Sequence, residues 1–233
     1  MKLVATEAFF ALFPEANIAV VVARGVDNRA RETTSTALRS AQEAATERFR
    51  SVVFAEHPRI RCWREAYRAF GVKPKDYPSS IENLMRRALK GEPLRSINPL
   101  VDLYNVISLS HFLPVGGEDL DTFVGDVVLT RATAQEPPVR LLGESEERPP
   151  KAGEVLYKDD VSAICRRWNW KEADRTKLTI ETKNAMLVLE AISPIPREEL
   201  EAAAREVGSM VSENCGGTLA SAILDRNLRE VLL

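Results

Sequence analysis

The sequence feature that most constrains the fold is an apolar segment at residues 97–109 that carries two polar side chains one helical turn apart. Asp102 and Asn105 lie three residues apart among neighbours such as Leu103 and Val106. A helix that is apolar around most of its circumference is buried, and a buried polar group without a partner costs about 1–3 kcal/mol. The segment therefore predicts a central buried helix whose Asp102 and Asn105 either bond the surrounding loops or reach a ligand.

The residues that follow predict a turn at the end of this helix. Pro114, Gly116, Gly117 and Asp119 combine the residue types that dominate tight turns. The junction between helix and turn is where we expect a functional site.

The run from Asp102 to Asp121 resembles a segment of the editing module of the phenylalanyl-tRNA synthetase beta subunit, formed by its third and fourth domains. That segment reads Asp-Val-Thr-Asn, an apolar stretch, and then Gly-Gln-Pro-Met-His-Ala-Phe-Asp. Set without gaps, Asp102, Asn105, Pro114 and Asp119 fall on matching residues, whereas the family's His falls on Gly116. The stretch from Phe70 to Glu82 also looks like one found in freestanding relatives of the module, and the resemblance continues to Glu190 over about half of the chain.

Local patterns predict a mixture of strands and helices around this segment. Residues 17–23 form a continuous β-branched run typical of a buried strand, and residues 125–132 alternate like a strand. Four helices are predicted, at about 33–54, from Pro58, at 81–89 and at 197–214. Two hairpins are predicted, from 155–157 with 161–165 and from 176–182 with 185–192, and residues 220–231 form a short terminal segment or helix.

Together with the resemblance, these elements imply an α+β fold of layered, mixed β-sheets flanked by helices, like the synthetase editing domain. We expect a single domain over residues 1–233. It comprises an N-terminal subregion of a strand and helices at 1–95 and a pocket-forming subregion at 96–233.

The most unusual local composition is the run Arg166-Arg167-Trp168-Asn169-Trp170-Lys171. Two arginines and two tryptophans around an asparagine can clamp a phosphate and stack a base or an aromatic ring. Equally, the tryptophans can seal the core while the arginines pair with nearby acids. In the resembling family a small, glycine-rich loop lies here, so the resemblance implies a pocket reshaped, and made smaller, by bulky residues.

Glu190 ends an apolar strand, where charge is costly. By itself such a residue is most simply a strand-end glutamate in solvent. In the resembling family the matching strand supplies a Glu to the editing pocket. Carried over, Glu190 would hold the substrate's α-amino group or orient a water.

Charge is unevenly distributed. Residues 59–95 contain ten Lys or Arg and four acids, whereas residues 110–160 contain eleven acids and five bases. The basic part, including Arg86 and Arg87, is most simply a solvated helix face, and the resemblance raises the alternative that it holds a polyanion.

Other function classes are disfavoured. Three cysteines without Cys-x-x-Cys spacing and only two histidines argue against a metal or disulfide scaffold, and we expect neither metal nor cofactor. Cys215 precedes two glycines, but we interpret it as a small filler rather than a thiolate. Nucleotide-binding glycine motifs and serine or zinc hydrolase motifs are missing from the sequence. With no apolar run of membrane-span length and no secretory pattern, we expect a cytoplasmic protein and no membrane contact; the oligomeric state is left open.

The resemblance implies hydrolysis of the ester between a wrong amino acid and tRNA, with the aminoacylated 3′ end of tRNA as partner. In this hypothesis Asn105, Glu190 and the Gly116-Gly117 backbone take part in catalysis. The remaining candidates form two groups: substrate-binding residues Asn98, Asp102, Pro114, Asp119, Trp168 and Asn169, and tRNA-binding residues Arg86, Arg87, Arg166 and Arg167. The alternatives are a non-catalytic module that binds tRNA or an amino acid, supported by Gly116 in place of His, and a small-molecule amidase or esterase.

Overall fold

The computed structural model describes residues 1–29 and 31–233. The helices are α1 (Glu7–Phe10), α2 (Glu32–Phe49), α3 (Pro58–Ala69), α4 (Ser80–Leu89), α5 (Pro99–His111) and α6 (Arg197–Cys215). The strands are β1 (Lys2–Ala5), β2 (Asn17–Arg24), β3 (Val115–Asp119), β4 (Val127–Arg131), β5 (Val139–Arg140), β6 (Glu147–Arg148), β7 (Val155–Lys158), β8 (Ala163–Arg166), β9 (Lys171–Glu172), β10 (Asn184–Ala191), β11 (Thr218–Leu224) and β12 (Glu230–Leu232).

Among the described residues the strands form a six-stranded sheet, a four-stranded sheet and a small ribbon. The six-stranded sheet has the order β12-β1-β4-β7-β8-β9, and the four-stranded sheet has the order β11-β2-β10-β3. Of the strand pairs in residues 1–29 and 31–233, only β1 with β4 is parallel. The fold is therefore a mixed α+β architecture, as the sequence predicts.

Helix α5 lies between two hydrophobic clusters, which explains why it is apolar on most sides. Leu103 and Ile107 pack in a cluster with α6 and with one face of the four-stranded sheet. Val106 and Leu109 belong to the other main cluster, which includes Trp63 and many residues of the six-stranded sheet. The helix begins with Asn98, whose side chain accepts a hydrogen bond from the Val101 N–H at 3.1 Å.

The structure confirms the predicted β2, α5 and α6 and the β7–β8 hairpin. The helix predicted at 33–54 ends earlier, at Phe49, and a separate 3-10 turn covers Phe54–Glu56. Within the described residues, no helix combines the length and apolar character needed to cross a bilayer.

Three predictions are wrong. Residues 115–119 of the expected turn form strand β3. Gly117 lies in this strand because it lets the backbone pack closely against Leu187: a Cβ at residue 117 would lie 2.6 Å from Leu187 Cδ2. Residues 176–182 form no strand, because Thr179 and Thr182 bond each other's backbone and compete with sheet pairing. The C-terminal segment forms β11 and β12, because β2 offers β11 an unpaired edge.

The division into subregions at residues 95 and 96 stays a prediction. The first strands make long-range pairs, since β1 lies between β4 and β12 and β2 lies between β10 and β11. The two parts of the chain therefore share both large sheets.

Candidate functional site

The candidate site is built on one face of the β3–β10 pair. The antiparallel register places Gly116 opposite Val188 and Glu118 opposite Met186. Because side chains alternate along a strand, these residues and Glu190 share a face. That face lines a cavity of about 480 Å³.

The other cavity walls come from α4, α5 and the six-stranded sheet. Helix α5 contributes Tyr104 and Asn105, and strand β8 contributes Ile164 and Cys165. Of the predicted site residues, seven line the cavity: Asn105, Glu190, Gly116, Gly117, Trp168, Asn169 and Arg87.

Glu190 lies at one end of the cavity and is held by three donors. Its Oε1 accepts from the Tyr157 hydroxyl at 2.5 Å and the Trp168 Nε1 at 2.6 Å, and its Oε2 accepts from the Asn169 Nδ2 at 2.5 Å. Only 3% of Glu190 is exposed. Burial raises its pKa to about 7, against the lowering effect of the three donors. It is therefore not a strand-end residue in solvent, and its carboxylate fixes the loop that carries Trp168 and Asn169.

The loop after β8 has an unusual backbone. Arg167 and Trp168 are consecutive non-glycine residues with φ angles of 50° and 66°. This left-handed conformation is costly for side chains with a Cβ and is concentrated at functional sites. The Trp168 indole is fully buried, with its ring centroid 4.6 Å from Phe13 and 4.9 Å from Trp63. Trp168 therefore seals the core and presents its edge to the cavity.

The two arginines of this loop are buried and bound within the protein. Arg166 forms two hydrogen bonds with Glu154, at 2.8 and 3.0 Å. The Arg167 guanidinium lies 3.8 Å from the Tyr77 ring centroid and 4.4 Å from that of Trp170. Neither arginine lines the cavity, and the structure places both behind its wall.

A second acidic group occupies another part of the cavity wall. Glu118 on β3 is 4% exposed, and neither carboxylate oxygen has a hydrogen-bond partner among the described residues. Glu172 on β9 is half-buried, and its Oε1 accepts from the Gly117 N–H at 3.3 Å. Burial, followed by the charge of Glu172, raises the pKa of Glu118 well above its usual range. Burial raises the pKa of Glu172 to about 7.

Four of the predicted substrate-binding residues lie outside the cavity lining. Asn98 caps α5 and donates to the Leu178 carbonyl at 3.1 Å. Asp102 accepts hydrogen bonds from the hydroxyls of Thr34 and Ser96 and from the Ile97 N–H. Asp119 accepts from the Thr182 hydroxyl at 2.6 Å. The Pro114 carbonyl accepts from the Glu190 N–H at 3.1 Å. These residues hold the helix, the strand and the loops that shape the site.

Asn105 differs from these four, because its side chain makes no hydrogen bond within the described part of the chain. It is half-buried and faces the cavity from α5. Gly116 also faces the cavity, and a Cβ at this residue would lie 3.0 Å from Glu172 Oε1. Asn105 is therefore the predicted polar residue best placed to bond a ligand.

Basic side chains lie at the cavity rim. Arg87, Arg95 and Lys171 are among its lining residues, and Lys171 pairs with Glu144 at 2.8 Å. Arg86 instead pairs with Glu82, whose side chain is 1% exposed. Of the predicted tRNA-binding residues, the structure brings only Arg87 to the cavity.

The sequence reasoning missed Tyr104, Glu118 and Glu172. If Val115–Asp119 is read as a strand rather than a turn, Glu118 falls on the same face as Gly116, which the sequence analysis had placed in the site. Glu172 carries no local signal, because its position depends on the pairing of β9 with β8.

Thiolate and metal chemistry find little support among the described residues. Burial raises the pKa of Cys215 to about 11 and that of Cys165 well above its usual range. No group of three His, Cys, Asp or Glu residues in the described ranges is arranged to hold a metal ion.

The fold resembles a solved synthetase fragment. The crystal structure of an N-terminal fragment of the phenylalanyl-tRNA synthetase beta subunit from Pyrococcus horikoshii matches with a TM-score of 0.51 and 12% sequence identity. The match covers 93% of this chain and 49% of that chain, so this protein spans about half the length of the fragment. At this identity the likeness shows a common fold.

Residues 62–216 match the B3/4 domain family. The chain belongs to this family. No curated protein sequence matches the chain.

Proposed function

We propose that this protein is a trans-acting aminoacyl-tRNA deacylase, which hydrolyses the ester between a mischarged amino acid and the 3′ end of tRNA. The observation that carries the proposal is the cavity between α5 and the β3–β10 pair, lined by Asn105, Gly116 and Glu190. These residues coincide with the segments that resemble the synthetase editing module. The family and the fold of the synthetase fragment support the same function.

The size of the cavity supports a small ligand. Its volume of about 480 Å³ lies within the range of roughly 300–1,000 Å³ found for small-molecule sites. Its walls combine apolar side chains such as Met186 and Val188 with a few polar groups. An aminoacyl group with part of its adenosine fits this description.

The charges at the rim support a tRNA partner. Arg87, Arg95 and Lys171 surround the opening, where phosphates of a tRNA 3′ end would pass. The buried Arg166 and Arg167 are less suited to this role, because Glu154 lies against both. We therefore assign tRNA contact to the rim residues and loop support to the two arginines.

The proposed chemistry relies on positioning. An aminoacyl ester is labile, so holding it against a bound water can supply much of the acceleration. Asn105 would bond the ester carbonyl and donate from its amide nitrogen to the oxyanion that develops there. The Gly117 N–H is already engaged, because it donates to Glu172 at 3.3 Å. Glu190 would act by holding Asn169 and Trp168 in place.

The test is the release of labelled amino acid from a panel of mischarged tRNAs, with correctly charged tRNAs as a reference. Asn105→Ala is expected to reduce release at least tenfold without changing the unfolding transition, since its side chain makes no hydrogen bond to the residues that the structure describes. Glu190→Gln is also expected to reduce release at least tenfold, because an amide nitrogen would face one of the three donors. Asn227→Ala, at an exposed residue far along the chain, is the matched control. Full activity of both cavity variants would refute the assignment of the site.

A second candidate function is a non-catalytic module that binds tRNA or an amino acid. Two observations favour it: the carboxylate of Glu190 is already occupied by three donors, and neither His57 nor His111 is among the residues lining the cavity. Such a module would retain tRNA in a salt-dependent manner and release no amino acid from any member of the panel.

A further inference from the structure

Hydrogen bonds among the described residues do not explain why the carboxyl groups of Glu118 and Glu172 lie in the cavity wall. Glu118 faces the cavity from β3, is 4% exposed, and has no partner for either oxygen among the described residues. Glu172 reaches over Gly116, as the distance of 3.0 Å from its Oε1 to a Cβ built there shows. Among the described residues, the carboxyl group of Glu172 makes one hydrogen bond, the 3.3 Å contact from the Gly117 N–H.

Other buried carboxylates of this protein show what a structural role looks like. Asp102 accepts from two hydroxyls and one backbone N–H, and Glu190 accepts from three side-chain donors. Glu154 binds the Arg166 guanidinium with both oxygens. A buried carboxyl without such partners destabilises the fold, so the polarity of Glu118 calls for a partner from outside the chain.

The surrounding charges determine which partner fits. The groups that face the pair are the hydroxyls of Tyr104 and Thr176, the thiol of Cys165, and the charges of Asp119 and Arg175. Arg175 is already engaged, because it hydrogen-bonds Asp159 and Ser162. Around the pair itself the acids are therefore opposed by one guanidinium that is already engaged, and the complementary ligand group is a cation.

We propose that Glu118 and Glu172 form the subsite for a primary ammonium group of the ligand. The proposal rests on the proposed function for one point only, namely that this ammonium is the α-amino group of an aminoacyl ester. Binding at neutral pH ionises the pair, and the displaced proton passes to solvent.

The strand register separates this subsite from Glu190. The Glu190 N–H bonds the carbonyl of Pro114, and Glu118 lies four residues further along β3. At about 3.4 Å per residue, the two acids are separated by about 14 Å along the strands. Glu190 therefore supports the loop at one end of the cavity, while the pair binds the ammonium at the other.

The test uses amino-acid amides as probes. L-Alaninamide, L-leucinamide and L-phenylalaninamide carry a free ammonium, and their N-acetyl derivatives do not. Quenching of tryptophan fluorescence reports binding, because Trp168 and Trp170 line the cavity. At least one free amide is expected to bind at least tenfold more tightly than its N-acetyl derivative, with release of a proton at pH 7 in calorimetry in two buffers of different ionisation heat.

Variants locate the subsite. Glu118→Gln and Glu172→Gln are each expected to weaken binding of the free amide at least tenfold, whereas Glu146→Gln, which removes an exposed carboxylate outside the cavity lining, leaves it unchanged. Equal binding of free and acetylated amides overturns the proposal even where a variant folds poorly. Unchanged binding in both Gln variants, or no binding of any amide at millimolar concentration, also overturns it.

The outcomes distinguish this inference from the proposed function. Amide binding that depends on both acids, without deacylation of any tRNA, retains the subsite and refutes the deacylase. Deacylation that depends on Asn105 but not on Glu118 and Glu172 retains the deacylase and refutes the subsite.

Discussion

Replacing Glu172 with Gln removes one titrating carboxyl from the cavity wall, and we expect this change to alter how stability depends on pH. In the folded protein burial raises the pKa of Glu172 to about 7, whereas an ordinary glutamate titrates at 4.5. The folded state therefore binds this proton more tightly than the unfolded state does. Its contribution to stability is complete below pH 4.5 and is lost as the pH rises to about 7.

The size of the effect follows from the two pKa values. At 1.36 kcal/mol for each pKa unit, the loss between pH 4.5 and pH 7 is about 3 kcal/mol. A Gln side chain has nearly the shape of a protonated Glu and can still accept from the Gly117 N–H. Glu172→Gln should therefore match the wild type near pH 5 and be more stable by up to about 3 kcal/mol near pH 8.

The assay is urea unfolding of both proteins at intervals between pH 5 and pH 8. Asp225→Asn is the control, because the Leu228 N–H, the Asn227 N–H and the Arg197 guanidinium lower the pKa of Asp225. Asp225 contributes stability above its unfolded pKa and loses it only as the pH falls through its lower folded pKa, so its difference from wild type should be constant over this range. A difference between Glu172→Gln and wild type that does not change from pH 5 to pH 8 would refute the reasoning.

Two further predictions concern the framework of the site. Glu154→Gln leaves the buried Arg166 charge unpaired and should lower the free energy of unfolding by about 3–5 kcal/mol in chemical denaturation. Glu146→Gln, with 70% of its side chain exposed, should lower it by less than about 1 kcal/mol. Equal losses of stability in the two variants would contradict the burial argument. Gly117→Ala places a Cβ 2.6 Å from a core leucine and should lower stability by about 1–3 kcal/mol. Gly116→Ala places a Cβ 3.0 Å from Glu172 Oε1, at the end of a flexible side chain. The same chemical denaturation should therefore show a smaller loss of stability, and a larger loss for Gly116→Ala than for Gly117→Ala would contradict the orientation of β3.

Much of the fold follows from local pattern. The β-branched run at 17–23 forms β2, and the apolar periodicity at 97–109 forms α5, because each pattern buries a continuous surface. The sequence-based prediction was wrong where the usual preference of a residue type differs from the structure that its packing neighbours impose. Gly116 and Gly117 are common in turns, but in this protein they allow β3 to pack closely against its neighbours.

The candidate site was predictable in part. Asn105, Trp168, Asn169 and Glu190 line the cavity, and each is singled out by the sequence for a different reason. Asn105 is a polar residue in an apolar segment, Trp168 and Asn169 lie in a run of unusual composition, and Glu190 matches the resembling family. Local pattern gave no measure of how fully Glu190 is bonded, since its donors come from β7 and from the loop after β8.

By itself the sequence determined the central helix, the buried strands and the presence of polar groups among them, because hydrophobic periodicity is a local property. The tertiary structure alone decided which polar groups are satisfied and which face the cavity. Asp102 and Arg166 find partners within the chain, whereas neither Glu118 nor Glu172, which are far apart in sequence, has an ion-pair partner among the described residues. That distinction depends on strand register and on long-range packing, and it determines which polar side chains are free to contact a ligand.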